Sequence, residues 1–164
     1  MNLLSELKKE YDQEYQTTKK FFEKYPDGKT NYKPHEKSME MQPLAQHIAE
    51  VFGWPAFIIQ TDGIDFAEGG ESPKLETKDD LLNALNEAYA TNKEALEKVT
   101  IAELEPTWTL KMNGQVLASW TKYEAIRHSL NQATHHRAQL GVYYRLNDIP
   151  VPGSYGPSAD DQSF

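Results

Sequence analysis

A chain of 164 residues has the usual size of one domain, and about 70% of the unfolded surface can be hidden at that length, so a core forms without covalent staples. It contains no cysteine, which excludes disulfides and thiolate metal sites and leaves imidazole, carboxylate and amide groups to hold any ion. The formal net charge of -8 and a pI near 5.1 have the wrong sign for a surface that gathers phosphates, which argues against nucleic-acid binding.

The opening, from Met1 to Glu10, mixes charge with leucine at helical spacing and lacks a continuous apolar stretch, so it reads as helix and not as a signal peptide. Leu4, Leu7, Tyr11, Tyr15, Thr18, Phe22 and Tyr25 recur at steps of three and four, predicting an amphipathic helix that ends before Pro26-Asp27-Gly28. Lys8-Lys9 and Lys19-Lys20 share that helix with Glu6, Glu10, Asp12, Glu14 and Glu23 and read as a solvated face. Turn-formers and charges follow as far as Lys37.

A second helix is expected from about Met41, with Pro43 in its first turn, where a missing N–H costs little, and a buried stripe of Leu44, Ile48 and Val51. Gly53 and Pro55 predict a kink or break, and the apolar run Ala56 to Ile59 reads as buried. That run is too short to span a bilayer, so no membrane contact is expected, and the expected compartment is the cytoplasm. Asp62 to Pro73 reads as a loop, and Thr77 with Asp80 resembles a capping box opening a third helix that buries Leu81, Leu85, Ala88, Ala95, Leu96 and Val99.

The period then changes. Trp108, Leu110 and Met112 alternate with polar residues, Asn113-Gly114 is a type I′ turn signal, and Val116 to Trp120 returns as a second strand of an exposed-edge hairpin. A fourth helix is expected from about Tyr123 to Leu146, with Ile126, Leu130, Ala133, Leu140 and Tyr144 facing inward, until Pro150 and Pro152 stop it. Four helices with one apolar stripe each are satisfied by facing those stripes together, so the expectation is a mainly α four-helix bundle with a small β-hairpin before the last helix, forming one domain over 1–164.

The histidines fall at 35, 47, 128, 135 and 136. At about 100° per residue His136 lies roughly 40° to 60° from Leu140 and Ala133, bordering the buried stripe, and His135 points about 100° further round. His47 borders the stripe of Leu44, Ile48 and Val51 in the same way, so two imidazoles from different helices are placed to meet at a crevice. His128, Gln132 and His136 form an i, i+4, i+8 column, a spacing that suits either metal ligation or polar packing at the rim of a core. His35, beside Pro34, reads as a loop residue.

The segments Lys33 to Met39, Leu44 to Glu50 and above all His135-His136-Arg137-Ala138-Gln139-Leu140-Gly141-Val142-Tyr143-Tyr144-Arg145-Leu146, with the tail Pro150 to Asp160, resemble the DinB/YfiT-like metalloenzyme superfamily over nearly the whole chain. The resemblance implies a four-helix bundle, commonly a homodimer, and a metal site that joins one histidine of the second helix to two histidines at i, i+4 on the last. Carried over by position, these ligands are His47, Gln132 and His136. The middle imidazole is therefore replaced by an amide, a weaker ligand for zinc or nickel, which predicts reduced affinity or no bound metal. His128 is a conceivable substitute, one further turn and about 5.4 Å along the axis.

Some members of the superfamily use the ion to activate a small-molecule thiol, so the implied function is a thiol-dependent transferase or hydrolase. The alternative is a metal-free helical dimer acting as a binding or structural module. Under the first expectation Glu50 orients a ligand or acts as a base, with a solvated helix acid as its plain reading. Arg137 either binds an anion or pairs with a bundle carboxylate. Trp120, Tyr143 and Tyr144 either line a pocket or pack in the core, and the tail is expected to lie extended along the bundle.

Overall fold

The computed structural model describes residues 2–70 and 72–162. Residue 71 of the expected loop and both ends of the 1–164 span lie outside the described residues. Helix α1 (Leu3–Glu23) is capped by the Asn2 side chain, which accepts from the Ser5 N–H, and buries Leu7, Tyr11, Tyr15, Thr18 and Phe22 as their spacing predicts. Helix α2 (Met41–Phe52) carries Pro43 in its first turn. Gly53 bends the chain, and helix resumes at once as α3 (Trp54–Gln60), with Pro55 in its first turn; the expected break is thus a corner between two helices.

Helix α4 (Lys78–Lys98) opens with the expected capping box, in which Thr77 accepts from the Asp80 N–H and Asp80 accepts in return. A short helix α5 (Ile101–Leu104), unforeseen because four residues carry no readable period, leads into the sheet. Helix α6 (Lys122–Leu146) follows directly from a strand, and Thr121 and Glu124 form a capping box at the switch, as Thr100 and Glu103 do at α5. The chain thus adopts a mainly α four-helix bundle of α1, α2, α4 and α6 with a small sheet before the last helix.

Its core unites Leu7, Tyr11, Phe22, Leu44, Ile48, Phe52, Leu81, Leu85, Ile126, Leu130 and Leu140. Each such side chain contributes roughly 1.5–3 kcal/mol through loss of apolar contact with water. Tyr11 stacks on Phe52 with ring centroids 4.6 Å apart. Asn92 is buried on the α4 face where an apolar residue would be expected: its Oδ1 accepts from the Ala56 N–H at 2.7 Å, and its Nδ2 donates to the Tyr11 hydroxyl at 2.7 Å and the Phe52 carbonyl at 3.1 Å. One amide thus satisfies the backbone at the α2–α3 corner.

The loop expected over Asp62 to Pro73 contains a strand, β1 (Gly63–Asp65), paired in parallel with β2 (Thr107–Met112), which is antiparallel to β3 (Gln115–Thr121). The hairpin is therefore two-thirds of a sheet of order β1-β2-β3, and of its two strands only β3 keeps an open edge. Three residues joined across the chain give no local period, whereas the close approach left one trace: a Cβ on Gly63 would lie 2.3 Å from the Thr109 carbonyl oxygen. The hairpin turn has positive φ at both Asn113 and Gly114, as type I′ requires. No described helix is long and apolar enough to cross a membrane.

A candidate metal centre between the second and last long helices

Helices α2 and α6 pack side by side, and their facing stripes set the histidines that border them on one crevice. The His47 and His136 rings lie 4.7 Å apart, centroid to centroid, at 73°, edge to face. His135 adds a third imidazole at 4.9 Å from His136 but is itself exposed. On His136, Nδ1 lies 2.9 Å from Gln139 Oε1. An amide oxygen only accepts, so Nδ1 carries the proton and Nε2 keeps its lone pair. Burial lowers the His136 pKa, opposed by Gln139 and assisted by the neighbouring His47 and His135, so the neutral form is favoured.

Glu50, one turn after His47, places Oε2 3.9 Å from His47 Nδ1. Gln46 Nε2 donates to Glu50 Oε1 at 2.9 Å, while Gln46 Oε1 accepts from Gln42 Nε2 at 2.9 Å and from the Leu75 N–H at 3.0 Å. This ladder of Gln42, Gln46 and Glu50 was readable as an i, i+4, i+8 column but has no apolar signal to draw attention. The His47 imidazole, then Gln46 and Ser72, hold the Glu50 carboxyl below the usual carboxylate range despite partial burial. Glu50 also borders a cavity of about 400 Å³ whose other walls include Ala49, Ser72, Leu75, Asp80 and Glu87.

The remaining residues singled out by sequence make other contacts. Gln132 makes its hydrogen bond with His128, Nε2 to Nε2 at 3.3 Å, and His128 stacks on Trp120 of β3 at 4.5 Å. His128 is thereby tied to the sheet. Tyr143 donates to the Met39 carbonyl and Tyr144 to the Phe21 carbonyl, both at 2.9 Å, which makes them ties between α6 and its neighbours. His35 caps its own loop by accepting from the Lys37 N–H at 3.1 Å.

Arg137 is buried and pairs with Glu14 of α1 at 2.7 Å. It also donates to the Thr18 hydroxyl at 2.9 Å and to the Tyr155 hydroxyl at 2.8 Å, and Tyr155 in turn donates to Glu14 at 2.7 Å. The tail is thus fastened to the bundle by a closed polar network around one ion pair. The burial of Glu14 on a helix rich in acids was not legible in sequence.

The donor set His47, His136 and Glu50 has the chemistry of a zinc or nickel site, two imidazole nitrogens and a carboxylate. Among the described residues no three histidine, aspartate or glutamate side chains stand grouped closely enough to hold an ion. Two imidazoles from facing helices thus approach one another, and no third histidine, aspartate or glutamate joins them closely enough among the described residues.

A DinB family model matches residues 1–162. No curated protein matches the chain. Among solved structures, a DinB-like protein of Bacillus subtilis is 21% identical with a TM-score of 0.68, over 88% of this chain and 96% of that one. A DinB-like protein of Bacillus cereus is 16% identical with a TM-score of 0.70, over 90% and 94%. These two likenesses carry the fold, and the family match, together with the bundle and its α2–α6 crevice, places the chain in the DinB family.

Proposed function

We propose that this protein binds a divalent metal ion, zinc or nickel, between α2 and α6, with His47 and His136 as nitrogen ligands and Gln132 at the third position implied by the family, and that it performs a thiol-dependent transfer or hydrolysis there. The observation that carries the reading is the 4.7 Å approach of two imidazoles from separate helices, with Gln139 leaving the His136 Nε2 lone pair free. A metal-binding histidine commonly spends its other nitrogen on such an acceptor. When bound, the ion would lower the pKa of a thiol or water.

The chain's own residues supply orientation. Gln139 sets the tautomer and ring direction of His136, and the Gln42–Gln46 ladder sets Glu50, which also borders a cavity of about 400 Å³ lined by residues of α2, α4 and the segment between Ser72 and Leu75. Gln132 favours a second reading, a metal-free bundle serving as a binding module, because its amide is engaged by His128. Elemental analysis of tag-free protein separates the two: about one zinc or nickel per subunit, lost in His47→Ala and His136→Ala, is expected. Metal at background level, with no thermal stabilisation on adding either ion, would favour the module. Gln132→His is expected to raise metal affinity by restoring an imidazole, and unchanged affinity would show that the positional carry-over is wrong.

A further inference from the structure

We infer that Asn113 is a modification site, where the Gly114 nitrogen displaces the side-chain amide to leave aspartate or isoaspartate, and that the Asp65 carboxylate restrains this reaction in the folded protein. Asn113-Gly114 is the one Asn-Gly pair in the sequence. It forms the tip of the β2–β3 hairpin, where both residues are exposed and have positive φ, 51° and 77°. Glycine brings no side chain to hinder its own nitrogen, and the space a Cβ would take there is open, with nothing within 4 Å. The reaction needs only water. A solvent base takes the Gly114 N–H proton, a bond forms from that nitrogen to Asn113 Cγ, and the Cγ–Nδ2 bond breaks as ammonia leaves with a proton from solvent. Water then opens the cyclic imide at either carbonyl carbon, giving aspartate or, with the main chain rerouted through the side chain, isoaspartate.

Asp65 stands at the end of β1 beside this turn and grips it from outside. Its Oδ2 accepts from the Gly114 N–H at 2.6 Å and its Oδ1 from the Asn113 N–H at 3.0 Å, while Oδ1 also accepts from the Ala67 N–H at 3.0 Å. The two gripped turn amides flank the Asn113 Cα, so one carboxylate holds both soft torsions that must turn before the Gly114 nitrogen faces Cγ. The same contact opposes the chemistry, because removing the Gly114 proton sets an amide anion against a carboxylate, and like charges so close repel. The Ala67 N–H, then the Gly114 N–H, hold the Asp65 carboxyl below its usual range, which keeps the grip ionised at neutral pH. Once formed, the product works against that grip. Aspartate at 113 adds a carboxylate beside Asp65, and isoaspartate lengthens the chain inside a two-residue turn whose length sets the strand register.

The whole protein tests both halves of the inference. Wild type, Asp65→Ala and Asp65→Asn are incubated folded at neutral pH, and wild type is also incubated unfolded in guanidinium chloride. Peptide mass spectrometry reads the exchange of NH2 for OH at residue 113, and electron-transfer fragmentation separates isoaspartate from aspartate. Circular dichroism confirms that the folded samples keep their helices; Asp65→Asn, closest in size to wild type, carries the test where Asp65→Ala loses them. Folded wild type is expected to convert about 10-fold or more slowly than the unfolded chain, and both variants about 10-fold faster than folded wild type, the factor for losing one hydrogen bond to a charged acceptor. No conversion at 113 in the unfolded chain would remove the site, and variants as slow as folded wild type would remove the restraint. Asp65→Asn slower than wild type would show the carboxylate aiding proton removal, which overturns the inference as well.

Discussion

Arg137 shows how strongly one residue's surroundings decide its role. Its side chain is 2% exposed and that of its partner Glu14 is 6% exposed, so the pair has traded hydration for mutual attraction and for bonds to Thr18 and Tyr155. Removing one partner of a buried pair strands the other charge, which typically costs about 3–5 kcal/mol, whereas replacing both by apolar groups is often neutral. Arg137→Met is therefore expected to cost roughly 3–5 kcal/mol in urea unfolding, with Glu14→Met plus Arg137→Met recovering most of it. A double variant as unstable as the single one would show that the network contributes more than the pair. The sequence offered two readings for Arg137, anion binder or structural partner, and the contact with Glu14 selects the second. His47 and His136 were more legible, because each borders an apolar stripe and the stripes must face one another.

At the scale of elements, two boundaries were readable from their local chemistry, Thr77 with Asp80 at α4 and Asn113-Gly114 at the hairpin. Strand β1 was not, since three residues acquire strand geometry only by pairing with β2. The tail is an element without regular structure, and charge fixes it. Asp160 accepts from Arg145 and from the Val151 N–H. Arg145 first, and then the Val151 N–H, lower its pKa below the usual 3.8. A carboxylate whose folded pKa is depressed contributes stability that is present above the unfolded value and is lost as pH falls through the folded one. Exchange of the Val151 amide hydrogen, corrected for its intrinsic pH dependence, is thus expected to stay protected at neutral pH and to accelerate below about pH 4. Asp160→Asn should be poorly protected at all pH values. Protection in that variant equal to wild type would show that packing of Pro152 and Gly153 holds the tail unaided.

For the whole molecule, the proposed ion ties α2 to α6, two helices far apart in the chain, so its binding is linked to global folding. Zinc at 100 times its dissociation constant is expected to stabilise the protein by about 2.7 kcal/mol, seen as a higher melting temperature that His136→Ala abolishes. Equal stabilisation in that variant would place the ion elsewhere. The four long helices, the hairpin and the inward stripes follow from sequence alone, because periodicity, caps and turn residues are local and each acts within a few positions. What required the tertiary structure is whatever depends on two distant segments meeting: the third strand, the burial of Asn92 and Glu14, the stacking of His128 on Trp120, and the approach of His47 to His136. Such contacts leave no period in the chain, since their energy comes from partners that only packing brings within hydrogen-bonding or ligand distance.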